Sequence, residues 1–210
     1  LVDGSLGQGQ EFERNLSISD VCKVSKKTKQ CLFMYHLIRI FKPETVIELG
    51  TNVGISSAYQ AAALLMNGRQ GRLVTLEASP YRLRLAKRLH QTVGLDNVSY
   101  VQGLFSDTLN QTLANVGPVD FAFIDGHHQY QPTLDYFQSI WNHAVPSALF
   151  VFDDIRWSEG MERAWAEIQR DKKICLTVDL MSMGLGIGTH DAAAEHYSTT
   201  PIFSPLASIL

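Results

Sequence analysis

The 210-residue sequence predicts an α/β fold: an open, mostly parallel sheet of seven strands with helices on both faces and an antiparallel hairpin at its C-terminal end. Three observations predict it. Short apolar runs alternate with longer stretches of helical spacing between residues 27 and 170. Punctuation falls where the elements should change, with Pro43 ahead of one strand and Asn67-Gly68 and Gly94 behind helices. The alternation then stops, because 174–180 and 185–189 are strand-like runs separated only by Met181-Ser-Met-Gly184. So short a connection leaves no room for a crossover helix, and the two runs must pair antiparallel.

The elements follow in order. Residues 1–26 are glycine-rich and polar with scattered apolar side chains, and read as an irregular lead-in that could cover a site. Lys27 to Phe41 sets Leu32, Tyr35, His36, Ile38 and Ile40 among basic residues, an amphipathic helix. Strands are expected at 46–49, 73–77, 98–102, 119–124 and 149–152, with helices at 55–66, 81–93, 106–114, 130–143 and 159–170. Repeated strand-helix units give a Rossmann-like parallel sheet in one domain, 27–190, followed by a small, polar, proline-bearing tail, 191–210. Such a sheet binds its ligand at the carboxyl ends of the strands, where the strand order reverses.

Composition narrows the partner. A formal charge of -3 without a basic block argues against nucleic acid, and no apolar run of about 18 residues is available to span a membrane. Cys22, Cys31 and Cys175 form neither a CxxC pair nor an even set, which disfavours a disulfide framework or a zinc site. The N-terminus lacks the basic and apolar regions of a signal peptide, so a cytoplasmic protein with a small-molecule partner is expected. The oligomeric state is open, a homodimer included.

The stretch Thr45 to Ser57 joins a buried strand to an alanine-rich helix through Gly50 and Gly54, a turn where backbone can approach a ligand. Its Glu-x-Gly-x-x-x-Gly spacing differs from both the dinucleotide fingerprint and the phosphate loop. Glu77 ends the next strand, where it could accept hydrogen bonds from ribose hydroxyls or serve as a charge at a helix N-terminus. Gly103, Leu104 and Phe105 turn the chain after the third strand and could lie against a purine ring. The fourth strand delivers Asp125 with His127 and His128 close behind, a carboxylate beside a potential base. The fifth ends in Asp153-Asp154-Ile-Arg156, two carboxylates that repel unless a cation, an arginine or a proton intervenes. If these strands are neighbours, Asp125, Asp153 and Asp154 converge as hard oxygen donors suited to Mg²⁺, while histidine ligands would favour Fe, Mn or Zn. The competing reading caps the next helix with one Asp and neutralises the other with Arg156.

Taken together, Glu48-Leu-Gly-Thr-Asn-Val-Gly54, Glu77, the Gly103 loop, Phe123-Ile-Asp125 and the final hairpin resemble a class I S-adenosylmethionine-dependent methyltransferase. The resemblance implies that Glu48, Gly50, Thr51, Asn52, Gly54 and Ser56 cradle the methionine end of the cofactor. It implies further that Glu77 and Ala78 meet the ribose, that Gly103 to Phe105 lie by the adenine, and that Asp125 borders the cofactor. Asp125 with Asp153-Asp154 is similar to the metal-dependent O-methyltransferases of catechol and caffeoyl type, which carry Asp-Asn at the later position. Those enzymes place a catalytic lysine three residues after the first Asp, where this sequence has His128. The resulting expectation is methyl transfer to a hydroxyl of a small molecule, with Asp125, Asp153 and Asp154 on a divalent metal and with His128 and Asp125 as the catalytic residues. An iron-dependent hydroxylase on the same fold and a non-catalytic cofactor-binding module are the alternatives.

Overall fold

The computed structural model describes residues 25–68 and 71–189, together with the backbone of 2–7, 10–15 and 197–199. An antiparallel hairpin, β1 (Val2–Gly7) and β2 (Gln10–Asn15), lies where an irregular lead-in is expected. Two glycines and few β-branched residues hide these strands from a reading of propensity. The main body then alternates: α1 (Thr28–Phe41), β3 (Thr45–Leu49), α2 (Ile55–Met66), β4 (Arg72–Glu77), α3 (Pro80–Thr92), β5 (Val98–Gln102) and α4 (Phe105–Val116). It continues as β6 (Val119–Ile124), α5 (Tyr130–Trp141), β7 (Ala144–Asp153), α6 (Glu159–Ile168), β8 (Ile174–Asp179) and β9 (Met183–Gly188).

The sheet order is β5-β4-β3-β6-β7-β9-β8, and β10 (Tyr197–Thr199) adds an eighth strand parallel to β8 at one edge. The seven expected strands are all present, β8 and β9 pair antiparallel, and β9 inserts between β7 and β8. From β3 the chain steps outward to β4 and β5, then returns to β6 on the other side, so the order reverses at β3. The crevice between the carboxyl ends of β3 and β6 is therefore the place for a ligand.

Side chains along the central strands alternate between two apolar layers. Phe121, Phe123, Leu149 and Val151 pack with α1 and α2 through Met34, Leu37, Ile38 and Leu64. Ala122, Ile124, Phe150 and Phe152 face α4, α5 and α6 through Leu113, Phe137 and Trp165. This period of two decides where the strand-end acids emerge. Asp125 and Asp153 continue the rows of Phe121-Phe123 and Leu149-Val151, so both come out on the α1 side. Local signals set the helix ends: Ser79 accepts the Arg82 N–H ahead of Pro80, and Ser158 accepts the Met161 N–H at 3.2 Å. β7 starts well before the expected Leu149, because a register irregularity opposite Val119 and Phe121 accommodates Pro146 and Ser147.

Candidate active site

Gly50 has φ +102°, and a Cβ there would lie 2.1 Å from the Asp125 carbonyl oxygen. No side chain fits between these backbones, so β3 and β6 come together at the reversal point because the residue is glycine. Gly54 has φ +85°, but the atoms a Cβ would strike are Ala86 and His90 of α3. The His90 imidazole pairs with the Gly54 carbonyl at 2.8 Å and with the Tyr100 hydroxyl at 2.7 Å. Packing against α3 thus requires the second glycine. Burial pushes the His90 pKa down, which keeps the neutral imidazole: Nε2–H donates to Gly54 and Nδ1 accepts from Tyr100.

Glu48 lies wholly buried beneath this turn. Its Oε1 accepts from the Ser56 hydroxyl and the Gln60 amide, and its Oε2 accepts from the Thr75 hydroxyl, each at 2.6 Å. Burial lifts its pKa to about 7 against the pull of these donors. Glu48 therefore ties α2 to β4 beneath the turn. Glu77 ends β4 with Oε2 accepting the Asn52 N–H at 2.8 Å and Oε1 accepting the Ser79 N–H at 2.9 Å. That pair of bonds orients the carboxylate at the strand edge beside Ala78. Thr51 bonds Thr75 at 2.6 Å, and the Gly103 N–H donates to the Glu77 carbonyl, bringing the third loop against the second. Leu104 is partly exposed, while the Phe105 ring lies so close to Gly126 that a Cβ there would sit 2.3 Å from it.

At the next edge the acids do converge. Asp125 and Asp153 end neighbouring parallel strands, with Ile124 opposite Phe152. Between them sits an ammonium: Lys26 Nζ lies 3.5 Å from Asp125 Oδ2 and forms an ion pair with Asp153 Oδ2. The His128 ring bridges the other side, with Nε2 3.6 Å from Asp125 Oδ1 and Nδ1 3.8 Å from Asp154 Oδ2. Burial raises the Asp125 pKa, and the charge of Lys26, with that of His128 when it is protonated, opposes that rise. His128 reaches this position because His127 and His128 both adopt left-handed backbone, φ 63° and 43°, which separates their side chains. His127 turns to the Tyr136 hydroxyl and packs beside Phe105. The two histidines thus serve different neighbours, and the iron set imagined from His127, His128 and a carboxylate is not assembled.

A methyltransferase-domain family model matches residues 47–155, just over half of the chain and the span from β3 to the residues after β7. A catechol O-methyltransferase of Mycobacterium tuberculosis is 32% identical over 159 residues, covering 73% of this chain and 69% of that protein. The chain belongs to the class I S-adenosylmethionine-dependent methyltransferases. A catechol O-methyltransferase of Niastella koreensis is 31% identical over 134 residues, and there the match covers 63% of this chain but only 58% of the relative's length. Among solved structures, an O-methyltransferase from Bacillus cereus in complex with SAH superposes with a TM-score of 0.67 at 24% identity, covering 81% of this chain and 90% of that one.

For a methyltransferase of this class, the cation site departs from what the sequence suggests. Among the described residues no three His, Cys, Asp or Glu side chains are arranged to hold a metal ion. Asp125, Asp153 and Asp154 do approach one another, but the lysine ammonium takes the gap between the first two and an imidazole the gap between the first and third. As placed, the ammonium and the imidazole occupy the space between these carboxylates that a divalent ion would need. The competing reading fails. Ser158 caps α6, and Arg156 pairs with Asp179 at 2.7 Å instead of with either strand-end acid. Lys26 is the residue that sequence reasoning missed. It stands two residues ahead of α1, in a segment assigned to the lead-in, and no local pattern in the sequence links it to the strand-end acids.

Proposed function

We propose that this methyltransferase moves the methyl group of S-adenosylmethionine to a hydroxyl oxygen of a small molecule. The observation that carries the reading is the meeting at one sheet edge of an oriented Glu77, the Gly50 turn and the Asp125-His128 pair. In this reading Glu77 accepts from the ribose hydroxyls, the 50–56 turn takes the methionine end, and Gly103 to Phe105 lie by the adenine. The names of the two curated relatives suggest a catechol as acceptor. Trp157 offers an aromatic ring a surface beside His128, the two ring centres being 6.3 Å apart.

The transfer is a displacement in line. The acceptor oxygen forms a bond to the methyl carbon as the carbon-sulfur bond breaks, its electron pair stays on sulfur, and the hydroxyl proton passes to the His128 imidazole. Asp125 and Asp154, on either side of that ring, orient it and stabilise the imidazolium that forms. Holding donor and acceptor together supplies a barrier reduction on the order of 7–11 kcal/mol in favourable cases. Among the described residues no helix is long and apolar enough to cross a membrane.

Isothermal titration with S-adenosylmethionine, followed by radiolabel transfer to catechol and other hydroxylated compounds, tests the proposal. Stoichiometric binding and labelling of an acceptor oxygen are expected. Absence of binding to folded protein refutes it.

A further inference from the structure

We propose that Lys26 is the built-in cation of the acceptor site: its ammonium, set between Asp125 and Asp153, receives the acceptor oxygen and makes transfer independent of a divalent ion. The inference rests on the methyl-transfer reading above. Its basis is the chemistry of one gap. Asp153 is 1% exposed, and only its Oδ2 faces the Lys26 ammonium, while Oδ1 is buried without a protein donor. A buried carboxylate needs a cation, and here the chain supplies one from its own N-terminal side.

Geometry makes the lysine and a metal ion alternatives. A divalent ion bound by Asp125 and Asp153 would have to sit about 2.0–2.1 Å from their oxygens, which is the space the ammonium fills. The placement of Lys26 also has local causes. Its carbonyl faces the Cys31 thiol in the first turns of α1, and the Gln30 amide reaches Ser182 at 3.3 Å in the β8–β9 connection. On its other side Ser25 accepts from the Asn52 amide at 3.4 Å, joining the segment to the turn proposed to take the methyl donor. The lysine therefore stands between the donor and acceptor sides.

An ammonium has three N–H donors. Two meet Asp125 and Asp153, and the third is available to the acceptor oxygen. As the oxygen bonds to carbon and gives its proton to His128, the Lys26 charge offsets its developing negative charge.

The test is a Mn²⁺ titration followed by electron paramagnetic resonance, on the full chain and on Lys26→Met, with calorimetric S-adenosylmethionine binding and catechol methylation measured in parallel. The wild-type protein should bind no stoichiometric Mn²⁺ at concentrations that saturate Lys26→Met. The variant should gain one site, and lose it again when Asp153→Asn is added. Wild-type methylation should be unaffected by EDTA, whereas Lys26→Met in EDTA should fall at least about 100-fold with cofactor affinity preserved, and Mn²⁺ should restore part of the rate. Stoichiometric Mn²⁺ on the wild type, loss of its turnover in EDTA, or a Lys26→Met variant that gains no site would each overturn the proposal. Should Lys26→Met not fold, the wild-type titration decides the matter, with Lys26→Arg as the charge-preserving variant expected to remain metal-free. Failure of cofactor binding would instead count against the methyl-transfer reading, and the Mn²⁺ titration would still decide whether Lys26 holds the cation site.

Discussion

Replacing Glu48 by Gln tests the energetics of the glycine turn at its base. The carboxyl is fully buried, and burial raises its pKa from 4.5 to about 7, with Asp125 adding to the rise and Ser56, Thr75 and Gln60 opposing it through hydrogen bonds. A pKa raised in the folded state means that folded protein holds the proton more tightly than unfolded protein. Its contribution to stability is complete below pH 4.5 and is lost as pH rises through 7. The linkage relation gives a loss of about 2 kcal/mol from this one group between pH 5.5 and pH 8. Gln cannot titrate, so Glu48→Gln should lose none of it. The measured quantity is the difference in unfolding free energy between variant and wild type, from urea denaturation at several pH values. Any constant effect of the substitution cancels in the slope, and so do the titrations of His90 and His127. The difference should move in the variant's favour by about 2 kcal/mol across that range. A flat difference would mean that the three donors outweigh burial and that Glu48 is ionised throughout, which would refute the reasoning.

Gly50→Ala should destabilise the fold by about 3 kcal/mol or more, combining left-handed strain with a clash against backbone that has no flexible end to move, and should abolish cofactor binding; calorimetry on protein shown folded by circular dichroism checks both. His128→Gln should lower turnover by about 10² to 10⁴ while leaving the S-adenosylmethionine Kd unchanged, as a base acting only in the chemical step requires, and a matching loss of cofactor affinity would assign the residue to binding instead. The depressed pKa of His90 has the opposite sign to that of Glu48: the stability it contributes is present above pH 6.5 and is lost as pH falls below that value. Thermal melts of His90→Gln should therefore show a shallower acid limb than the wild type, and an unchanged limb would mean that His90 is not a source of the acid sensitivity.

Much of the fold was legible because its signals are local. The helix at 55–66 and the strands at 98–102 and 119–124 match their expected limits, since glycine turns and apolar runs bound them within a few residues. The ends that moved were set by distant contacts. Helix α4 starts at Phe105 and not Ser106, with the Phe105 ring seated on Gly126 of another loop. The glycine turn divides in the same way. Gly50 answers to the approach of Asp125 at the ligand crevice, but Gly54 answers to Ala86 and His90, residues more than thirty positions further along the chain. Spacing alone presents them as equivalent.

The strand-end acids carry this distinction into the chemistry. The sheet brings Glu48, Glu77, Asp125, Asp153 and Asp179 to strand ends or close to them, and all but Asp179 stand out in the sequence as candidates. Their roles come from what each one meets. Burial keeps Glu48 near its proton against neutral hydroxyl and amide donors, and backbone N–H groups orient Glu77. Arg156 and the Trp165 indole bind Asp179, on a β8 that packs away from the crevice behind β9. Lys26 takes Asp125 and Asp153. Ser56 and Asn52 stand in the glycine turn and Arg156 beside the Asp pair, but Gln60, Thr75, Ser79, Trp165 and Lys26 lie outside every motif, and Arg156 goes to a different acid from the one beside it. In an open sheet the alternation of side chains chooses the face on which a carboxylate emerges, and the helix lying on that face chooses its cation. For Asp125 and Asp153 that helix is α1, so the segment leading into α1 decides whether a metal ion or a lysine completes the site.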